Sequence, residues 1–256
     1  MENSTSTRVA VAGGTGTVGR HVLQSLADRG IETVVLTRSS GVDLLTGAGL
    51  TGVLAGVSAV VDVTSVASTS SARSRDFFGT VTRTLLEAGR AAGVRHHVAL
   101  SIVGVDRGRT GHYAGKLVQE RLVEDGPVPW TILRATQFHE LAAQMHQALR
   151  VGPVHLAPRM RSQPVAAAEV GRRLAELALG DPAGRARELA GPHEESMLAM
   201  VRAYDRATGG RGRVVGVPLP GPLGRAMRRG DLLPGPEAEL GTETFDQWLR
   251  RTSGRD

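Results

Sequence analysis

Four side chains could carry acid–base chemistry together: Ser101, His112, Tyr113 and Lys116. Lys116 is the only lysine in the chain, set in the stretch GHYAGK, while every other Lys/Arg position is arginine. On a helix, Tyr113 and Lys116 are three apart and His112 and Lys116 four apart, so both pairs share a face. The chemistry suggested is hydride transfer to a carbonyl or a conjugated system, where a group must donate a proton as the hydride arrives. A phenol with an ordinary pKa of about 10 does this poorly at neutral pH. A neighbouring ammonium lowers that pKa. Lysine also suits the hydroxyls of a nicotinamide ribose, being a compact charge, where a planar guanidinium fits less readily. Ser101, at the end of a predicted strand, would orient the substrate oxygen. Without that chemistry, Tyr113 is a partly buried helix residue, Lys116 a surface charge and Ser101 a strand-end cap.

A nucleotide loop lies upstream. Gly13-Gly14-Thr15-Gly16-Thr17-Val18-Gly19 places glycines three apart between a β-prone run (residues 8–12) and a helical pattern carried by Val18, Val22, Leu23 and Leu26. In that setting one glycine permits the tight turn, another lets a pyrophosphate approach the backbone N–H groups, and a third lets helix and strand pack closely. The diphosphate then faces the helix N-terminus. The second strand ends Leu36-Thr37-Arg38-Ser39-Ser40, with no acid to hold a ribose 2′-hydroxyl. Arg38 could clamp a 2′-phosphate, with Ser39 or Ser40 adding hydrogen bonds, so NADP(H) is expected over NAD(H). Asp43 could accept from an adenine amino group or cap the helix after it.

These groups need a framework, and the pattern supplies one. Strands are expected at residues 8–12, 32–37, 59–63, 97–101 and 130–135, alternating with helices that include 77–92 and 113–124. Strands alternating with helices imply an α/β fold, a doubly wound parallel sheet of Rossmann type. After about residue 150 prolines and glycines become frequent. The reading is therefore a dinucleotide-binding domain over 1–150 and a smaller substrate lobe over 151–256, packed back on the sheet. Helices at 166–179 and 196–208 and strands near 154–156 and 213–217 are expected there. Residues 202–230 hold seven arginines and a single acid, Asp205, which reads as a solvated rim ahead of a surface facing an anionic ligand.

Composition narrows the classes. With no cysteine there is no disulfide framework, thiolate metal site or cysteine nucleophile. Net charge is +6, but only 3% of residues are aromatic, which leaves few stacking platforms for nucleic acid. The polar opening MENSTST and the lack of a long apolar run point to a cytoplasmic protein without a membrane anchor. His139 and His146 lie seven apart on an expected helix beside Glu140, yet no metal-ligand spacing appears, so no metal is expected. His96 and His97 should point to opposite faces of a strand. The expected partner is a small-molecule substrate. Oligomeric state is not readable.

The stretches VAGGTGTVGRHV, LLEAGRAAGVRHHVALSIVGVD, KLVQERLVEDGPVPWTILRATQFHE and TFDQWL resemble the NmrA-like group of atypical short-chain dehydrogenases/reductases. That resemblance implies an NAD(P)-binding Rossmann fold with a small C-terminal substrate lobe. It places Thr64 and Ser65, after the fourth strand, and residues 135–138, including Gln137 and Phe138, near nicotinamide and substrate. The group contains NADPH-dependent quinone and isoflavone-type reductases, and also members that bind the dinucleotide without turnover as redox-sensing regulators. Its wider pattern is tyrosine, three residues, lysine. Counting back from Lys116 reaches His112, not Tyr113. Either His112 is the acid, its free pKa of about 6.5 suiting proton transfer, or Tyr113 serves through an irregular helix start, or the acid is lost and Lys116 remains a ribose ligand. The expected function is NAD(P)H-dependent reduction of a small apolar carbonyl or quinone-like substrate. The rivals are a redox-sensing regulator of a partner protein and a cofactor-bound cyclase, isomerase or dehydratase.

Overall fold

A computed structural model describes residues 7–210 and 212–254. The chain opens with β1 (Arg8–Ala12), α1 (Thr17–Ala27), β2 (Glu32–Leu36), the short α2 (Leu50–Val53), β3 (Ala59–Asp62) and the long α3 (Ser71–Ala91). It continues through β4 (His96–Ile102), the short α4 (Val105–Gly108), α5 (His112–Glu124) and β5 (Trp130–Ala135). The strands stand in the order β5-β4-β3-β1-β2. Pairing of β1 with β2 and β3, and of β3 with β4, is parallel. A parallel sheet must be covered on both faces, and the sequence obliges: β3 is buried throughout and β4 at all but Ile102. Ala10, Leu36, Leu54, Val60, Val81 and Leu85 form one core cluster. The expected α/β, Rossmann-type sheet is therefore the observed one.

Helix ends fall where caps permit. Ser70 accepts from the Arg73 N–H and starts α3 six residues before the apolar pattern begins. Helices α3 and α5 approach closely because Gly115 has no side chain: a Cβ there would lie 2.5 Å from both Phe78 Cδ2 and the Ser74 carbonyl oxygen.

Beyond β5 come α6 (Leu141–Ala148), β6 (Arg150–Val151), β7 (Val154–Pro158), β8 (Arg161–Ser162), α7 (Ala167–Leu179) and β9 (Gly184–Arg185). The remainder is β10 (Leu189–Ala190), β11 (Glu195–Ser196), α8 (Met197–Ala207), β12 (Arg213–Val217), α9 (Gly221–Arg229), β13 (Glu239–Leu240) and α10 (Phe245–Ser253). Two compact units share this chain. The first is Met1–Ser101, Arg109–Arg134 and Ala168–Ala186; the second is Ile102–Gly108, Ala135–Ala167 and Arg187–Asp256. These units interleave along the chain, where the sequence suggested a single boundary near residue 150. Helix α7 belongs to the first unit because Gly171 lets it press on α1, where a Cβ would stand 2.4 Å from His21 Cβ.

Within the second unit, β7 pairs in parallel with β12 and antiparallel with β6. Met197, Met200, Val201, Phe245, Trp248 and Leu249 fill its core. Helix α10 starts at a capping box of Thr244 and Gln247. Among the described residues, no helix is long and apolar enough to cross a membrane.

Candidate functional site

The glycine loop joins β1 to α1. Gly13 has φ of 82°, and a Cβ there would lie 2.8 Å from the Val63 carbonyl oxygen. Gly19 is tighter still: its Cβ would fall 2.2 Å from the Gly13 carbonyl oxygen and 2.6 Å from Gly14 Cα. The Gly16 N–H closes the turn on the Gly13 carbonyl at 2.9 Å. Gly16 then serves as the N-cap of α1 with no side chain covering the helix end, and Thr15 and Gly16 are exposed. The first-turn amides of Thr17, Val18 and Gly19 have no carbonyl one turn back to bond, and the positive end of the helix dipole lies with them. Such an end takes a phosphate readily.

The register Ala12 opposite Leu36 brings the end of β2 level with this loop. Arg38 follows two residues later, exposed, at the start of a single 3₁₀ turn over Arg38–Ser40. The two serines are otherwise occupied. Ser40 Oγ donates to the Val35 and Thr37 carbonyls, and Ser39 Oγ pairs with Thr37 Oγ1 at 2.9 Å. They shape the turn that carries Arg38. Asp43 does not cap α2, whose N-cap is Gly49; its Oδ1 accepts from the Leu45 N–H at 2.8 Å within a turn.

Lys116 is neither a surface charge nor a free arm. It is 4% exposed, and its Nζ donates to the Leu100 carbonyl (2.7 Å), Gln119 Oε1 (2.8 Å) and the Thr64 carbonyl (3.4 Å). An ammonium has three N–H donors, and all three are used inside the protein. The nitrogen expected to hold a ribose is thus engaged with Leu100, Gln119 and Thr64. Gln119 passes the contact on, donating to Asp62 Oδ2 at 2.7 Å. Asp62 Oδ1 accepts from both the N–H and hydroxyl of Thr64. Burial lowers the Lys116 pKa to about 8, with Asp62 and Glu120 opposing.

His112 does begin α5 on the same face as Lys116. Its ring meets Phe78 edge-on at 5.2 Å, and Lys116 Nζ sits 4.5 Å above that same ring. Burial first, then the Lys116 charge, push His112 down to about 4, against a hydrogen bond with the Val66 backbone. His112 is therefore neutral at pH 7. Tyr113 is buried at 6% exposure.

Ser101 is not the end of β4, which runs on to Ile102. Its Oγ is buried and has no partner in hydrogen-bond geometry. The hydroxyl lies beside Glu120, near enough to favour the carboxylate without an aligned bond. Burial works against ionised Glu120. The hydrogen bonds from Arg134 Nε (2.8 Å) and Nη2 (2.7 Å), with help from Arg185, outweigh it and hold the pKa below the usual carboxylate range.

Thr64 and Ser65 follow β3, the third strand of the chain and not the fourth. Thr64 is buried and Ser65 exposed. Gln137 and Phe138 lie in the second unit. There the Gln137 amide oxygen accepts from Ser162 Oγ at 2.8 Å, and Phe138 bridges to Val165. His139 and His146 do not converge. His139 Nε2 bonds the Glu243 carbonyl, whereas His146 Nε2 bonds Asp205 Oδ1.

A family model described as NAD(P)H-binding matches residues 13–179, from the first loop glycine to the end of α7. The chain belongs to the NAD(P)H-binding family. It is 32% identical over 144 residues to the (4-alkanoyl-5-oxo-2,5-dihydrofuran-3-yl)methyl phosphate reductase of Streptomyces griseus. That match covers 51% of this chain and 48% of the reductase, so the chain spans about half the length of this curated relative. Its fold is that of the NADPH-dependent quinone oxidoreductase QOR2 from Escherichia coli, with 17% identity, a TM-score of 0.69 and coverage of 95% of this chain and 99% of that one. A short-chain dehydrogenase/reductase superfamily protein from Agrobacterium tumefaciens with bound NAD is similar at 21% identity and a TM-score of 0.68, covering 97% of this chain and 96% of that one.

In this NAD(P)H-binding chain the loop over residues 13–19 closes tightly on glycine and leaves the α1 N-terminus without a side-chain cap. Asp62, Gln119, Glu120, Arg134 and Arg185 were absent from the sequence-derived set. Gln119 and Glu120 sit about one turn along α5 from Lys116, but only the fold reveals that they face Asp62 and Arg134.

Proposed function

We propose that the chain is an NAD(P)H-dependent oxidoreductase that reduces a small apolar carbonyl or quinone-like substrate and prefers NADP(H). The observation that carries this reading is the uncapped α1 N-terminus beneath a loop in which Gly13 and Gly19 leave no room for a Cβ. The nicotinamide, when bound, supplies the hydride. The residues of the chain do the rest. The α1 amides hold the diphosphate, and exposed Arg38 at the end of β2 offers a guanidinium to a 2′-phosphate. The names of the similar proteins, an NADPH-dependent quinone oxidoreductase and a reductase acting on an oxo-dihydrofuran, support conjugated acceptors.

The proton inventory favours the same substrates. His112 is neutral at pH 7, and Lys116 is engaged internally. A ketone becomes a strongly basic alkoxide as hydride arrives and needs an acid in place. A quinone becomes a phenolate-like oxygen with a pKa of about 10, which solvent can protonate. Conjugated acceptors are thus the ones this set of side chains can serve.

The same inventory favours a second reading, a non-catalytic NAD(P)-binding redox sensor of the NmrA-like kind that regulates a protein partner. Incubation with NADPH and a panel of quinones, enones and simple ketones, followed by absorbance, separates the two. Turnover of quinones or enones ahead of ketones supports the reductase. NADPH binding without turnover on any acceptor overturns it in favour of the sensor.

A further inference from the structure

The second unit contains a cluster that the dinucleotide chemistry does not use. His146 on α6, His155 on β7 and Asp205 on α8 each offer one ligand atom, and those atoms all lie within 4.8 Å of one another. His146 Nε2 is 2.8 Å from Asp205 Oδ1, and the two imidazole rings stack at 3.8 Å with an interplanar angle of 10°. Side-chain exposure is 15% at His146 and 6% at Asp205. The three residues line a cavity of about 460 Å³.

Two further features make this more than a chance contact. His155 Nδ1 bonds the His146 carbonyl at 2.8 Å. A carbonyl can only accept, so Nδ1 carries the proton and Nε2 is left as a bare lone pair. Fixing the tautomer by a backbone carbonyl in this way is how protein imidazoles are prepared for a metal. The segment after α8 also keeps the donor atoms uncovered. A Cβ at Gly210 would lie 2.1 Å from Asp205 Oδ1, and one at Gly212 would lie 3.0 Å from His155 Nε2. Glycine at both positions leaves space beside two of the three ligands. Asp205 is also the single acid among the arginines of residues 202–230. Arg150, which lines the cavity, directs its Nε to the Gly152 carbonyl at 2.9 Å.

We propose that His146 Nε2, His155 Nε2 and an Asp205 carboxylate oxygen form a binding site for one divalent transition-metal ion of the Zn²⁺ class. Two imidazoles and a carboxylate suit Zn²⁺ better than Mg²⁺ or Ca²⁺, which take all-oxygen sets. The two rings now stack face to face, so they must turn about their side-chain torsions for both Nε2 lone pairs to meet one ion at about 2.0–2.2 Å. Three protein ligands leave the fourth position to water or an anion from the cavity, the arrangement of an open rather than a closed zinc site.

The spacing between His146, His155 and Asp205 matches no linear motif, so the site emerges only when α6, β7 and α8 pack together. The test uses tag-free, chelator-stripped full-length protein titrated with Zn²⁺ against a chromophoric chelator. One equivalent should bind, and His155→Gln and Asp205→Asn should each weaken it about 10- to 100-fold. Asp205→Asn retains a hydrogen-bonding partner for His146, and circular dichroism checks that both variants fold. His193→Gln, at an exposed histidine outside the cluster, should change nothing. In the unmodified protein, Co²⁺ should give the intense visible bands of a four- or five-coordinate ion. No stoichiometric uptake, or a weak octahedral Co²⁺ spectrum, would overturn the site. Undiminished affinity in Asp205→Asn, or loss in His193→Gln, would overturn it equally.

Discussion

Replacing Gly19 by alanine tests the cofactor cradle at its tightest point. The new Cβ would be 2.2 Å from the Gly13 carbonyl oxygen, 2.6 Å from Gly14 Cα and 2.9 Å from the Gly13 carbonyl carbon. A carbon and an oxygen rest at roughly 3.2 Å or more, so about 1 Å must be found. All three neighbours are backbone, so no side chain can rotate away. Either α1 withdraws from the loop or the Gly13 turn opens. Overpacking of this kind costs about 1–3 kcal/mol. Alanine's helix propensity returns up to about 1 kcal/mol. The net loss is about 1–2 kcal/mol, which lowers Tm by about 2–8 °C for a chain of this size. Either movement also displaces the amides of Thr17 and Val18 from the diphosphate. A misplacement of about 1 Å can cost on the order of 100-fold, so NADPH affinity should fall by at least about tenfold. Gly16→Ala is the control, since its Cβ would stand 3.2 Å from the Gly13 oxygen at an ordinary φ of −77°. It should lower Tm less than Gly19→Ala does. Thermal melts without cofactor and fluorescence titration with NADPH give the two quantities. A Gly19→Ala protein with unaltered Tm and unaltered NADPH affinity would refute the reasoning.

Other substitutions probe the remaining residues. Arg38→Ala should weaken NADPH binding about 10- to 100-fold, the worth of one charged hydrogen-bonded contact, while NADH affinity changes little; equal losses for both nucleotides would remove Arg38 from 2′-phosphate recognition. Lys116→Met leaves Gln119 Oε1 and the Leu100 carbonyl buried without their donor, so it should cost about 2–4 kcal/mol of stability in chemical denaturation. If Lys116→Met instead keeps its stability and loses NADPH affinity, the lysine reaches the ribose after all. Burial holds His96, His97 and His112 below the ordinary histidine pKa. The unfolded chain therefore takes up protons first as pH falls below about 6.5, and stability declines from pH 7 toward pH 4. His112→Gln should make that decline shallower, and a Tm independent of pH between 7 and 5 would contradict the assigned shifts.

Much of the framework was legible because it rests on local signals. The bounds of β5 and of β12 match their apolar runs, and the Gly13–Gly19 spacing sits between strand and helix as expected. Elements marked by weaker periodicity were not read. Helix α9 is rich in arginine, and α10 spans only Phe245–Ser253, although its Thr244/Gln247 capping box was visible in the sequence. The site was legible as residue types and misleading as roles. Helical spacing put His112 and Lys116 on one face, and that held. It could not say that Phe78 would bury both, or that Gln119 would join Lys116 to Asp62, a residue 57 positions away from Gln119. Burial and distant partners decide whether such groups are charged, and periodicity carries no information about either.

The buried lysine has a practical consequence. A lysine-specific protease has one place to cut this chain, in a helix whose Lys116 is 4% exposed and tied to the Leu100 carbonyl. Cleavage there requires α5 to leave β4. The rate at which the chain splits into two fragments therefore clocks the opening of the dinucleotide-binding unit, and any ligand that tightens that unit should slow the clock in proportion to its occupancy.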